Sequence, residues 1–345
     1  MASVFPPSSA RAEQVVSAPT FVVPAQAEVS APALPPVTAE TDEDSFVHAS
    51  QLAAYAREIS PLWTQPFAQL LVSQAPQLGK STILDVMCRA GEAGLPLLRR
   101  SPQARLVAID TAAGLLDIAR REAGPLLGRR VFLRTQGCQP KLPFDSEVYD
   151  LVLSNLGLSS VEDPRRLLRE MFRVAKPGAT VLATVPLRGS FAEFYEIVAR
   201  LLSHRPREAA LLEQHVATRP EPLLLYSWAL EAGLEDVSIV MRPFSLLFAG
   251  GPDFFYAPLI AQGPLPSWLP LFGEQHADRE ATFVQLCAAI DDVARGKDAT
   301  VRTPARPVFS VTVRAACLCA RRPLPPAALS FEEDPENAPT RPGLL

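Results

Sequence analysis

The sequence predicts an α/β domain built on a mostly parallel, seven-stranded sheet with helices on both faces. Short runs of Val, Ile and Leu alternate with amphipathic stretches between residues 82 and 185, the order expected when each strand feeds a crossover helix. Within the runs apolar residues are consecutive rather than alternate, as in strands covered on both sides. Turn residues such as Lys176-Pro177-Gly178-Ala179 punctuate the pattern.

The elements follow in order. Gln51–Gln77 carries helical spacing interrupted by Pro61 and Pro66. Thr82–Val86 reads as the first buried strand, followed by a helix around Gly91–Arg100. Arg105–Asp110 is the second strand and Ala113–Glu122 the next helix. Val131–Leu133 and Tyr149–Asn155 are the third and fourth strands. Pro164–Val174 puts Leu167, Leu168, Met171 and Val174 on one helical face. The Lys176–Ala179 turn then leads into a fifth strand, Thr180–Val185. Val237–Met241 and Val308–Val313 are expected to close the sheet as an antiparallel pair. Two inserts intervene: a helical stretch, Phe191–His215, and residues 248–272, rich in aromatics, Pro and Gly. The second is expected to form a lid over the carboxyl ends of the strands, where open α/β sheets take ligands.

Composition narrows the function classes. Of 345 residues, 48% are hydrophobic and 20% charged, a balance that supports a sizeable core. The net charge of −4 and the lack of a dense basic tract give no electrostatic signature of a nucleic-acid partner. Cys88, Cys138, Cys287, Cys317 and Cys319 have no paired CxxC spacing and no His-rich segment nearby, so no metal site is expected. Their odd number fits a reducing compartment. The start lacks the basic and continuous apolar parts of a secretion signal, and no run reaches the ~20 apolar residues of a membrane span; a cytoplasmic location is expected. His48, His204, His215 and His276 are isolated in sequence and read as surface or structural, since catalytic histidines need partners.

Proline marks the boundaries. Residues 1–45, rich in Ala and Pro and ending in an acidic run, read as a disordered tail, and residues 323–345 as a second flexible one. The domain is expected over residues 46–322. For the first tail two roles stand open, a solvated extension or a docking segment for a protein partner.

The run Ile83-Leu84-Asp85-Val86-Met87-Cys88-Arg89-Ala90-Gly91 resembles the first motif of class I S-adenosylmethionine-dependent methyltransferases. Val107–Asp110 with Leu115–Arg120 is similar to the second motif. Leu142-Pro143-Phe144-Asp145 and Tyr149–Leu158 resemble the third and fourth, and Arg169–Gly178 the helix and turn before the fifth strand. Five blocks in family order imply the Rossmann-like fold of that family, most like its small-molecule enzymes of ubiquinone and biotin-precursor synthesis.

The resemblance implies a donor site. Asp110 would accept the ribose hydroxyls, with Thr111 beside it. Asp85 would orient the loop and the donor's amino group, Gly91 would shape the loop, and Tyr55 would cover the donor. Ser154 and Asn155 would lie beside its sulfur. This chain departs from the pattern at three positions: Met87 and Arg89 stand where relatives carry glycine, and Cys138 where they carry the Asp that accepts from adenine. Arg89 would either pair with the donor's carboxylate or fill its space. A thiol is a poor acceptor, which Gln139 would have to replace. The cofactor implied is S-adenosylmethionine, with its loss an open alternative. Phe254-Phe255-Tyr256 and Trp268 would line an acceptor pocket or form core beneath the insert. No residue is assigned as catalytic, because methyl transfer depends mainly on alignment. Two functions stand open: methylation of a small-molecule acceptor, or a methyltransferase-fold binding or regulatory module without catalysis.

Overall fold

The computed structural model describes residues 18–25, 34, 49–138, 141–298 and 308–325. Most of both expected tails, His48 and Gln139 lie outside the described residues. Strands β1 (Thr20–Val22), β2 (Thr82–Val86), β3 (Arg105–Asp110), β4 (Val131–Thr135), β5 (Tyr149–Asn155), β6 (Ala175–Pro186), β7 (Glu235–Met241), β8 (Phe244–Phe248), β9 (Phe309–Val313) and β10 (Ala315–Arg321) form two sheets. The larger has seven strands in the order β4-β3-β2-β5-β6-β10-β7. Strands β2 to β6 run parallel to one another, and β10 is antiparallel to both β6 and β7.

Both faces of this sheet are covered, as the consecutive apolar runs require. In β2, Ile83 joins the apolar cluster on one face while Leu84 and Val86 join the cluster on the other, the period-two split of a strand. The crossover helices are α3 (Gly94–Arg99), α4 (Ala113–Ala123) and α5 (Pro164–Val174). Helix α5 starts where Asp163 accepts from the Arg166 N–H at 2.9 Å and Pro164 supplies the first residue. It buries the four residues that its spacing selects.

Three expectations need correction. The turn at Lys176-Pro177-Gly178 belongs to β6: Tyr149 pairs with Ala175 and Leu151 with Thr180, so these residues bulge within the strand. Gly178 meets the bend with a φ of 76°. The closing pair is also different, since β7 pairs with β10 and not with residues 308–313. In β9, buried Phe309, Val311 and Val313 alternate with half-buried Ser310 and Thr312, which suits a sheet covered mainly on one side. In β10, Ala315, Ala316, Cys317 and Leu318 are all buried, as an interior strand demands.

The third correction falls within the N-terminal tail. Thr20–Val22 is a strand, paired in parallel with β8, and β8 in turn is antiparallel to β9. Phe21 anchors it edge-on against Phe244, with centroids 5.5 Å apart. Phe21→Ala should therefore cost about 1–3 kcal/mol, visible as a lower urea midpoint. An unchanged midpoint would mean that β1 does not hold this sheet together.

Helix α1 (Ala49–Ala54) runs through a π-helical segment, Tyr55–Thr64, into α2 (Gln65–Gln74). Pro61 lies inside the wide segment, where it has no N–H for an α-type bond. The remaining helices are α6 (Ala192–Leu201), α7 (Pro206–Ala217), α8 (Pro222–Glu231), α9 (Gly251–Tyr256), α10 (Pro258–Ala261), α11 (Leu265–Phe272) and α12 (His276–Asp298). Phe254, Phe255, Trp268 and Phe272 are fully buried among them, with Phe254 and Trp268 stacked at 5.9 Å. These aromatics are core beneath the insert. Among the described residues, no helix is long and apolar enough to cross a membrane.

Candidate functional site

The loop after β2 sits where the sheet order reverses, because β2 lies between β3 and β5. Its backbone takes the left-handed conformations that glycine would normally supply. Met87 and Arg89 have φ of 58° and 52°, and Gly91 has 82°. A Cβ on Gly91 would come within 2.8 Å of Leu95 Cδ1, so a larger residue here would also require that side chain to shift. Leu156 and Phe191 are also left-handed, at 67° and 63°. Four of the six non-glycine residues with positive φ among those described thus gather around one site. Each conformation costs about 1–3 kcal/mol and persists only where its surroundings enforce it.

Asp110 enforces much of it. Its Oδ2 accepts the Arg89 N–H at 2.7 Å, and its Oδ1 accepts the Ala112 N–H at 2.9 Å. Gly137 approaches Thr111, whose Cγ2 would lie 3.5 Å from an added Cβ, so the loops after β3 and β4 meet here. Cys138 is buried in the apolar cluster that includes Leu142 and Leu158.

Asp85, at the end of β2, is completely buried. Its Oδ2 accepts the Gly94 N–H at 3.0 Å, while Oδ1 has no partner. Burial holds its pKa well above the usual carboxylate range; the Gly94 N–H opposes this, and the charges of Glu92 and Asp110 reinforce it. Glu92 ties the loop to the helix above it, because its Oε1 accepts from Tyr55 Oη at 2.6 Å and Ser60 Oγ at 2.8 Å. Its Oε2 accepts the Ala90 N–H. Burial, then the nearby Glu92 charge, pushes the Tyr55 phenol well above its ordinary pKa.

Ser154 and Asn155 hold the frame. Ser154 Oγ donates to the Val86 carbonyl at 2.7 Å. Asn155 Oδ1 accepts from Thr184 Oγ1, and its Nδ2 donates to the Thr64 carbonyl. Gly157 packs so closely that an added Cβ would lie 2.1 Å from Ser154 Oγ and 3.3 Å from Met87 Cβ. Met87 therefore lies against the β5 loop. The Arg89 side chain crosses to the same loop, where Nη2 donates to Ser160 Oγ at 3.0 Å.

Beside this crossing opens a cavity of about 650 Å3. Tyr55, Trp63, Phe191 and Trp228 supply aromatic surface, and Leu259 of α10 closes it from the insert. The insert therefore contributes to the wall, but Phe254, Phe255 and Trp268 do not line it. His204 and His276 are exposed. His215 lies with Nε2 3.0 Å from Tyr195 Oη, and burial lowers its pKa. Sequence reasoning missed Glu92, Trp63, Trp228 and Arg219. Glu92 carried a signal, as an acid directly after the last loop glycine; the others meet only through tertiary packing.

A family described as a methyltransferase domain matches residues 84–183. The demethylmenaquinone methyltransferase of Shouchella clausii is 27% identical over 175 residues, covering 47% of this chain and 74% of that protein. That of Bacillus cereus is 26% identical over 177 residues, covering 48% and 73%. Among solved structures, the YcgJ protein of Bacillus subtilis has 16% identity and a TM-score of 0.49, covering 75% of this chain and 99% of that one. The matched residues are those that build β2 to β6 and the loops of the site. Over residues 84–183 the chain is thus similar to a methyltransferase domain, and the relatives it resembles are methyltransferases.

Proposed function

We propose that this chain methylates a small, apolar acceptor held in the 650 Å3 cavity, with S-adenosylmethionine as donor. The carrying observation is position. The cavity is walled by Arg89 from the β2 loop and Leu156 from the β5 loop, at the crevice where open α/β sheets take ligands. Its aromatic wall suits a flat or hydrocarbon body. The relatives named for demethylmenaquinone support a small-molecule acceptor of quinone type.

The residues present fit the donor at its polar ends. Each Asp110 oxygen has one backbone donor and keeps a second lone pair for a ribose hydroxyl. The unpartnered Asp85 Oδ1 is an acceptor for the donor's ammonium, whose charge would draw this carboxyl back to its ionised form. Bound there, S-adenosylmethionine supplies an electrophilic methyl group on a sulfonium. The chain's own part is to align the acceptor and exclude water, and an acceptor already anionic needs no general base.

The Arg89 bridge to Ser160 favours a second reading, a binding module that keeps the fold without the transfer. A docking role for the N-terminal segment would belong with it. Calorimetry with S-adenosylmethionine and S-adenosylhomocysteine separates the two. Micromolar binding, with label moving from donor to a quinol, is expected for the enzyme. Neither heat nor thermal shift at millimolar ligand would sink it.

A further inference from the structure

Two guanidinium groups line the cavity, Arg89 and Arg219. Neither forms an ion pair among the described residues. Arg89 uses Nη2 on the Ser160 hydroxyl, and its buried Nε donates to nothing. Arg219 donates through Nη1 to the Ser190 carbonyl and to Tyr195 Oη, with its guanidinium over the rings of Phe191 and Tyr195. Ring faces attract a cation without neutralising it. Glu162 is the one acid in the lining, and it is exposed. A cation held against apolar walls carries a desolvation cost until an anion completes it.

We infer that the cavity binds an apolar carboxylate, an aryl or acyl acid whose body lies on the aromatic wall and whose carboxylate takes the free donors of Arg89, with Arg219 as the second cation. The planar guanidinium matches the two oxygens of a carboxylate. Arg89 occupies a backbone position that favours glycine. Its left-handed backbone, φ 52°, is then the conformational cost of placing a charge at the acceptor rather than an unexplained strain. The inference rests on the reading above only in taking this cavity as the acceptor site.

Calorimetry of the full chain with naphthoic acid, its methyl ester and naphthylmethylamine tests it. The acid should bind at least about tenfold more tightly than the ester, the value of a charged hydrogen bond, and the amine most weakly. In Arg89→Gln the difference between acid and ester should fall below about twofold. Arg219→Gln gives an independent reduction should the first variant fail to fold. Equal binding of acid and ester, no binding of any of the three, or an acid preference that survives both variants would overturn the inference. Acid preference with no S-adenosylmethionine binding would remove the methyl-transfer reading and leave this one standing.

Discussion

Asp110→Ala should abolish binding of S-adenosylhomocysteine and destabilise the fold by about 2–4 kcal/mol. Both effects come from one side chain. The carboxylate satisfies the N–H groups of Arg89 and Ala112, and its removal strands two donors at a nearly buried position. The Arg89 N–H bond also helps to hold the loop in its left-handed form, so its loss should loosen the whole turn. Donor affinity would fall with the ribose acceptor. Paired calorimetry and urea denaturation check this, and a variant that binds and melts like the parent would show that the pocket has been placed wrongly.

Asp85→Asn should act in opposite directions on stability and binding. An acid whose folded pKa lies above its unfolded value keeps a proton that the unfolded chain releases. Stability therefore falls as pH rises from the unfolded value of about 3.9 towards the raised folded one, and it is greatest below both. Burial is the main cause of the shift. Asparagine carries no charge, its amide oxygen can still accept the Gly94 N–H, and the contribution of Asp85 to the slope with pH is removed. The variant should be more stable than the parent at neutral pH and lose that advantage in acid. Without an ionisable acceptor for the donor's ammonium, it should bind donor more weakly. Urea titrations between about pH 4 and pH 8 measure the slope; identical slopes in parent and variant would refute the account.

That opposition explains which parts of the site were legible in the sequence. The strands β2 to β6 announce themselves as consecutive apolar runs, since burial on both faces leaves little room for polar residues. Asp85 and Asp110 lie at the ends of β2 and β3, where a strand pattern alone places them. The consequences of Met87 and Arg89 were not legible. Sequence spacing marks them as departures from glycine but does not reveal that both backbones remain left-handed, or that Arg89 points across to Ser160. Arg219 and Trp228 come from beyond β6 and meet the cavity through α7, α8 and the insert, a tertiary event without a local pattern. The exchange of β9 for β10 in the closing pair has a similar origin. Small residues such as Ala315 and Ala316 give a weak strand signal, although an interior strand has space for little else.

The position of β10 bears on how the chain emerges from the ribosome. Among the described strands this one is made last, yet it lies inside the sheet between β6 and β7. Until residues 315–321 have been synthesised, β6 has an open edge that includes Val181, Leu182 and Val185. Such an edge is a template for pairing with another chain, and long-range pairing is slow to form. Nascent chains halted before Ala315 should thus be the species most dependent on chaperones. The helices α6 to α12, made in the interval, lengthen that exposure.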